Sequence, residues 1–254
     1  MTKAQGSQIQ FGNTTIPYEI RRTPNRSSIS VNVHPDGTVT VDAPKGSRKT
    51  HIAEAVQAKQ VWILNQQEHF RRLMRTRTKR FVSGESFLYL GRQYKLMVLN
   101  DASDETPTVR LFRGQIEVRT PATADQESQV SFTRSMLIDW YRGKALRRLK
   151  SLTKRYARNL GVEVESVRVR EMKSRWGSAN HNGWIAYNWK VILAPKRLVE
   201  YVVAHEVCHL KHDDHSREFW RLLERAMPDY ERRRLELAVN GPKYDLRTEG
   251  ETWQ

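Results

Sequence analysis

Residues 201–220 read YVVAHEVCHLKHDDHSREFW, and the arrangement of the C-terminal half follows from them. YVVAHEVCHL is an apolar helical segment: Pro195 upstream is well tolerated in a first helical turn, and Leu198, Val199, Val202 and Val203 supply an inward face. On such a helix, residues four apart are separated by about 40° around the axis and about 6 Å along it. His205 and His209 can therefore offer imidazole nitrogens to one ion, and Glu206 lies beside them, free to take a proton from a metal-activated water. His-Glu-x-x-His fixes only three positions and occurs by chance. Its place on an apolar helix followed by polar His212, Asp213, Asp214 and His215 turns the pattern into an expected metal site.

A catalytic zinc takes three protein ligands and keeps a fourth position open. His212 shares the helix face, but its Cα would lie about 10 Å along the axis from that of His205. His215 can return from a turn after the helix and is the favoured third ligand, at the spacing of the metzincin pattern, although His212 stands where that pattern has a glycine. Asp213 and Asp214 either orient a ligand histidine or are solvated loop residues, and Glu218 follows too soon to be favoured as a ligand. Cys208, the single cysteine, lies about 100° off the ligand face and reads as a packed thiol.

The 254 residues suffice for a real core without disulfides, and no apolar run approaches the roughly 20 residues that cross a bilayer. The N-terminus has no apolar core of a secretory signal, so a cytoplasmic protein is expected. Net charge is +16, from 44 Lys and Arg against 28 Asp and Glu, which favours acidic partners such as nucleic acid or nucleotides.

The fold class is α+β: a β-rich N-terminal half, then a helical zincin-like half with a small sheet. IPYEIRRT (16–23), SISVNVHP (28–35) and TVTVDAP (38–44) alternate as strands, with a hairpin turn at Asp36-Gly37. Ser47 to Leu73 reads as one helix, ending in the basic run Arg71–Arg80, either a solvated connector or an anion contact. Hairpins are expected about Gly91 and Gly114. The polar stretch 121–129 is the expected linker, giving a β-rich region 1–120, a linker 121–130, a metallohydrolase domain 131–245 and a tail 246–254. Ser131 to Leu160 is a long helix with nine basic residues against Asp139; Arg147, Lys150, Lys154 and Arg158 face away from its apolar stripe. That side is a polyanion-facing surface or an ordinary wet face. Val164 to Arg170 is a strand, with WIAYNWKVIL (184–193) turned back beside it at Gly183. No internal repeat is visible.

RWGS (175–178), YNWKVILAP (187–195), the 201–220 stretch and MPDY (227–230) occur in an order that resembles the YgjP-like metal-dependent hydrolases, described as metallopeptidases related to the SprT-like group. The resemblance is close over residues 170–241 and looser upstream. It implies one zinc per chain held by His205, His209 and His215, with Glu206 as base. Arg175 and Asn188 occupy motif positions that would bind substrate or a developing oxyanion, or support the site. The family usually carries a cysteine after RWGS, where this chain has Ala179. Trp176, Trp184, Trp189 and Trp220 are expected to pack the metal helix. The expected activity is peptide hydrolysis; the rivals are a metal-dependent nucleoside triphosphate pyrophosphohydrolase, which the basic surplus suits, and a protease tethered to nucleic acid.

Overall fold

A computed structural model of the protein describes residues 5–11, 14–23, 26, 28–34, 36–75, 78–101, 107–121, 125–172 and 175–246. The fold is α+β, and the chain divides into two compact units, Met1–Thr78 and Lys79–Thr252.

In the first unit β1 (Gln5–Phe11), β2 (Thr14–Thr23), β3 (Ser30–Val33) and β4 (Val39–Pro44) form a sheet of order β1-β2-β4-β3, two antiparallel hairpins joined by the parallel β2–β4 pair. Alternation sends Ile16, Tyr18 and Ile20 inward with Val31, Val39 and Val41, under Ile52, Val56 and Ile63 of the helices. Asp36 closes the β3–β4 turn, its Oδ1 accepting from the Thr38 backbone N–H (2.8 Å). The helix expected over 47–73 is two, α1 (Lys49–Ala58) and α2 (Gln60–Arg75), broken at Lys59 (φ −106°, ψ 7°). No proline or glycine marks the break, and the apolar positions keep their phase across it, so the pattern reads as one helix. Of the basic run 71–80, Thr76 and Arg77 lie outside the described residues; Arg71 pairs with Glu68, and Lys79, in the second unit, donates to the Ser86 carbonyl.

The second unit repeats the sheet topology: β5 (Ser86–Tyr89), β6 (Arg92–Asp101), β7 (Thr108–Phe112) and β8 (Gln115–Pro121) run in the order β5-β6-β8-β7, with β6–β8 parallel and both hairpins antiparallel. Phe87, Leu96, Ile116 and Val118 of this sheet share one core with Leu137, Tyr141 and Leu149 of helix α3 (Gln126–Leu160) and Val199 of helix α4 (Lys196–Cys208). That common core moves the division of the chain to Thr78, away from the linker expected at 121–130. β8 runs to Pro121, residues 122–124 lie outside the described ones, and α3 starts at Gln126 with Asp125 capping the Ser128 N–H at 2.7 Å. Arg147, Lys150, Lys154 and Arg158 are exposed along α3, whereas Arg155 pairs with Glu200.

β9 (Ser166–Arg170), β10 (Gly177–Ala179) and β11 (Trp184–Asn188) make a third sheet of order β10-β11-β9. β11 is parallel to β9, not folded back on it; the strand that Gly183 (φ +78°) turns into β11 is the short β10. The expected ten-residue strand stops at Asn188, whose side chain accepts from the Lys190 N–H and opens the 3-10 turn Trp189–Leu193. Helices α5 (Arg217–Ala226) and α6 (Tyr230–Asn240) follow α4. Among the described residues no helix is long and apolar enough to cross a membrane.

The β5–β6 turn is fastened to the entrance of α4 by backbone bonds from Leu90 N–H to the Ile192 carbonyl (2.8 Å) and from Gly91 N–H to the Leu193 carbonyl (3.1 Å). Gly91 sits at φ +79°, and a Cβ there would come within 2.7 Å of the Pro195 Cα. Gly91→Ala is expected to cost about 2–4 kcal/mol in urea unfolding. Gly143→Ala, inside α3 with only the Arg147 side chain near at 3.9 Å, should be neutral or gain up to about 1 kcal/mol.

Candidate metal centre

α4 buries Val202, Val203, Val207 and Cys208 and turns His205 and His209 to one side; burial also pushes the Cys208 thiol up to about 12, so it is a packed, protonated group. The helix closes at His209, and its Nδ1–H donates to the His212 carbonyl at 3.0 Å, which leaves Nε2 with the free lone pair. Past this bend Asp214 Oδ1 accepts the Ser216 N–H (3.2 Å), and Ser216 caps α5. The loop thereby brings His215 back to the helix. Nε2 of His205 lies 3.2 Å from that of His209 and 3.1 Å from that of His215, and one ligand nitrogen from each falls within 4.8 Å of the others. Nitrogens about 2.0–2.1 Å from one tetrahedral ion stand roughly 3.3–3.4 Å apart, so the three imidazoles fit a divalent cation of the zinc type.

Phe219 of α5 fills the space behind them, its ring centroid 5.0, 4.6 and 4.8 Å from those of His205, His209 and His215. Burial, the two neighbouring imidazoles and Arg234 hold His205 down to about 3, and burial likewise lowers His215, so both rings offer lone pairs at neutral pH.

Glu206 is buried beside this cluster, 6 % exposed. Its carboxylate lies against the backbone of β10: a Cβ on Gly177 would stand 2.6 Å from its Cγ, Cδ and Oε1. Burial raises the carboxyl from 4.5 to about 8, against the opposing charge of Arg175. A cavity of about 600 Å³ opens over these groups, walled by Arg175 to Ala179 on one side and by Arg234, Leu237 and Ala238 of α6 on another.

The structure thus brings His205, His209, His215, Glu206 and Arg175 to one cavity and leaves Asn188 outside it. The Asn188 amide is committed to the backbone: Nδ2 donates to the carbonyls of Met172 (2.9 Å) and Arg175 (3.2 Å). It therefore holds the segment that carries Arg175. His212 contributes its carbonyl rather than its ring, Glu218 is not in the cluster, and Asp213 faces His181, whose Nδ1 is 3.0 Å from both carboxylate oxygens. Of the tryptophans, Trp189 is buried against Tyr141, Trp176 packs on Tyr244, and Trp220 stacks on His215 (5.4 Å, 30°). Trp184 departs from the packing role, being 45 % exposed with Arg168 over its ring. Sequence reasoning missed Phe219, the close approach at Gly177 and Arg234. Phe219 was open to detection as an apolar residue four positions past His215, beside Trp220.

The family model described as YgjP-like, metallopeptidase domain matches residues 27–240. The chain belongs to that family. As a YgjP-like metallopeptidase its class of activity is metal-dependent peptide hydrolysis. Among solved structures the YgjP-like chain is similar to the metallopeptidase zymogen abylysin of Pyrococcus abyssi, at 23 % identity and a TM-score of 0.34 over 39 % of this chain and 99 % of that one. No curated protein matches it significantly.

The raised carboxyl of Glu206 has a measurable consequence in metal-free protein. An acid whose folded value exceeds its unfolded one keeps its proton longer in the folded state, so stability falls as pH rises between the two values. The stability of Glu206→Gln relative to wild type, from urea unfolding in chelator, should therefore rise from pH 4.5 to about 8 and level off above, by a few kcal/mol in all. A difference independent of pH would mean that the carboxyl is not displaced.

Proposed function

We propose that the protein is a zinc-dependent peptidase holding one ion through His205, His209 and His215, with Glu206 as the general base. The observation that carries this reading is the meeting of three ligand nitrogens with one buried carboxylate in a single open cavity. When bound, the ion would polarise the scissile carbonyl and acidify a water. Glu206 Oε accepts the proton of the attacking water and returns it to the leaving amine nitrogen. The Gly177 backbone holds that carboxylate in place, because the lack of a Cβ is what lets it sit there. Arg175, close enough to act on the Glu206 carboxyl, is the group assigned to the negative charge that develops on the carbonyl oxygen.

A polypeptide substrate is favoured over a nucleoside triphosphate by β10. It is an edge strand, and its pairing with β11 runs through the bonded positions Trp176–Asn188 and Asn180–Trp184, so in antiparallel alternation the N–H and C=O groups of Gly177 and Ala179 point away from the sheet. An extended peptide can add there as a further strand, beside the three histidines; a nucleotide has no use for such a row of groups.

With zinc-loaded protein and an unfolded protein substrate, Glu206→Gln should keep one zinc per chain by atomic absorption and lose about 10²–10⁴ in rate. Chelation should abolish wild-type cleavage and zinc restore it, while full activity in the Gln variant would take Glu206 out of the mechanism. Gly177→Ala should likewise retain zinc and lose roughly 10²-fold in kcat through displacement of the carboxylate. A Gly177→Ala enzyme with normal kcat would show that the fit of Glu206 against β10 is irrelevant to turnover.

A further inference from the structure

We propose that Arg234, with the apolar side of α6 next to it, forms a specificity subsite for an acidic residue of the polypeptide substrate, close to the scissile bond. The proposal rests on the peptidase reading and adds a substrate class to it.

α6 carries three consecutive arginines with different fates. Arg232 bonds to Asp229 at 2.8 Å, and Arg233 bonds to Asp229 at 2.9 Å and reaches Glu200 at 3.6 Å. Arg234 has no ion-pair partner among the described residues; it lines the metal cavity with Leu237 and Ala238. Its guanidinium is 5.1 Å from the centroid of the Trp220 ring, which stacks on Tyr230 (5.5 Å, 21°) and on His215. Cation–π contact thus anchors the charge to an aromatic column that ends on a metal-cluster histidine, fixing its distance from the reaction centre.

The carboxylates of the cavity do not answer this charge. Glu206 is buried beside β10, and Asp213 is engaged with His181. Arg175 and Arg234 therefore face the cavity as two guanidiniums that bond to no carboxylate among the described residues, in a site where a bound ion would add further positive charge. A carboxylate is the substrate group that supplies the missing acceptors, in the two-pronged geometry a guanidinium prefers. Leu237 and Ala238 beside Arg234 suit the methylene stem of a glutamate.

The test uses zinc-loaded full-length protein and a matched series of fluorogenic peptides carrying Glu, Gln or Lys at each position flanking the bond. Wild type should favour Glu over Gln at one position by roughly tenfold in kcat/KM, chiefly through KM, and disfavour Lys. Arg234→Lys should keep part of the preference, and Arg234→Glu should invert it toward Lys. Because each ratio is taken within one enzyme, a general loss of structure leaves it unmoved. Equal cleavage of the three peptides by wild type, or an acidic preference retained by Arg234→Glu, overturns the subsite and leaves the peptidase reading standing. Failure to cleave any peptide, with nucleoside triphosphates hydrolysed by the same preparation, overturns both.

Discussion

Three imidazoles held edge to edge need a rigid backing, and Phe219 provides it by touching all three from behind. Its ring excludes water from the rear of the cluster and fixes the separation of α4 from α5. Beside that wedge, the His209–His212 and Asp214–Ser216 bonds, the Asp213–His181 contact and the stacking of Trp220 on His215 define where the loop from Leu210 to Ser216 returns His215. The ligand set depends on packing as much as on ligand chemistry, and the buried thiol of Cys208 on the same helix belongs to the same core.

Much of this centre was legible in the sequence because its parts are local. Two histidines one helical turn apart and a third after a polar bend need only helix geometry to be read. What could not be read came from other elements: the β10 backbone that walls Glu206, and the Arg234 that reaches the cavity through Trp220. A three-residue strand such as β10 has no periodic signal, and a solvent-facing arginine on a charged helix looks like its neighbours until their partners are known. Asn188 was singled out from motif position, and its conformational duty became clear only from its two backbone acceptors.

The fold shows the same division. Strand alternation identifies three of the four hairpins and leaves out β1–β2, while their joining through parallel inner strands, and the recurrence of that topology in each unit, have no counterpart in the local pattern. The polar stretch near 121–129 looked like a boundary because it lacks apolar periodicity. The hairpins before it nevertheless donate their inward residues to the core of α3 and α4, and shared burial outweighs local composition in deciding where a unit ends.

The position of Gly177 far upstream of Glu206 bears on how the protein matures. His205, His209 and His215 come together only with Phe219 of α5 behind them, whereas the wall against Glu206 requires the parallel β9–β11 pairing and the β10 edge, all within residues 166–188. Because residues 166–188 leave the ribosome before 205–215, the third sheet can close first, and α4 then docks Glu206 against a wall already built.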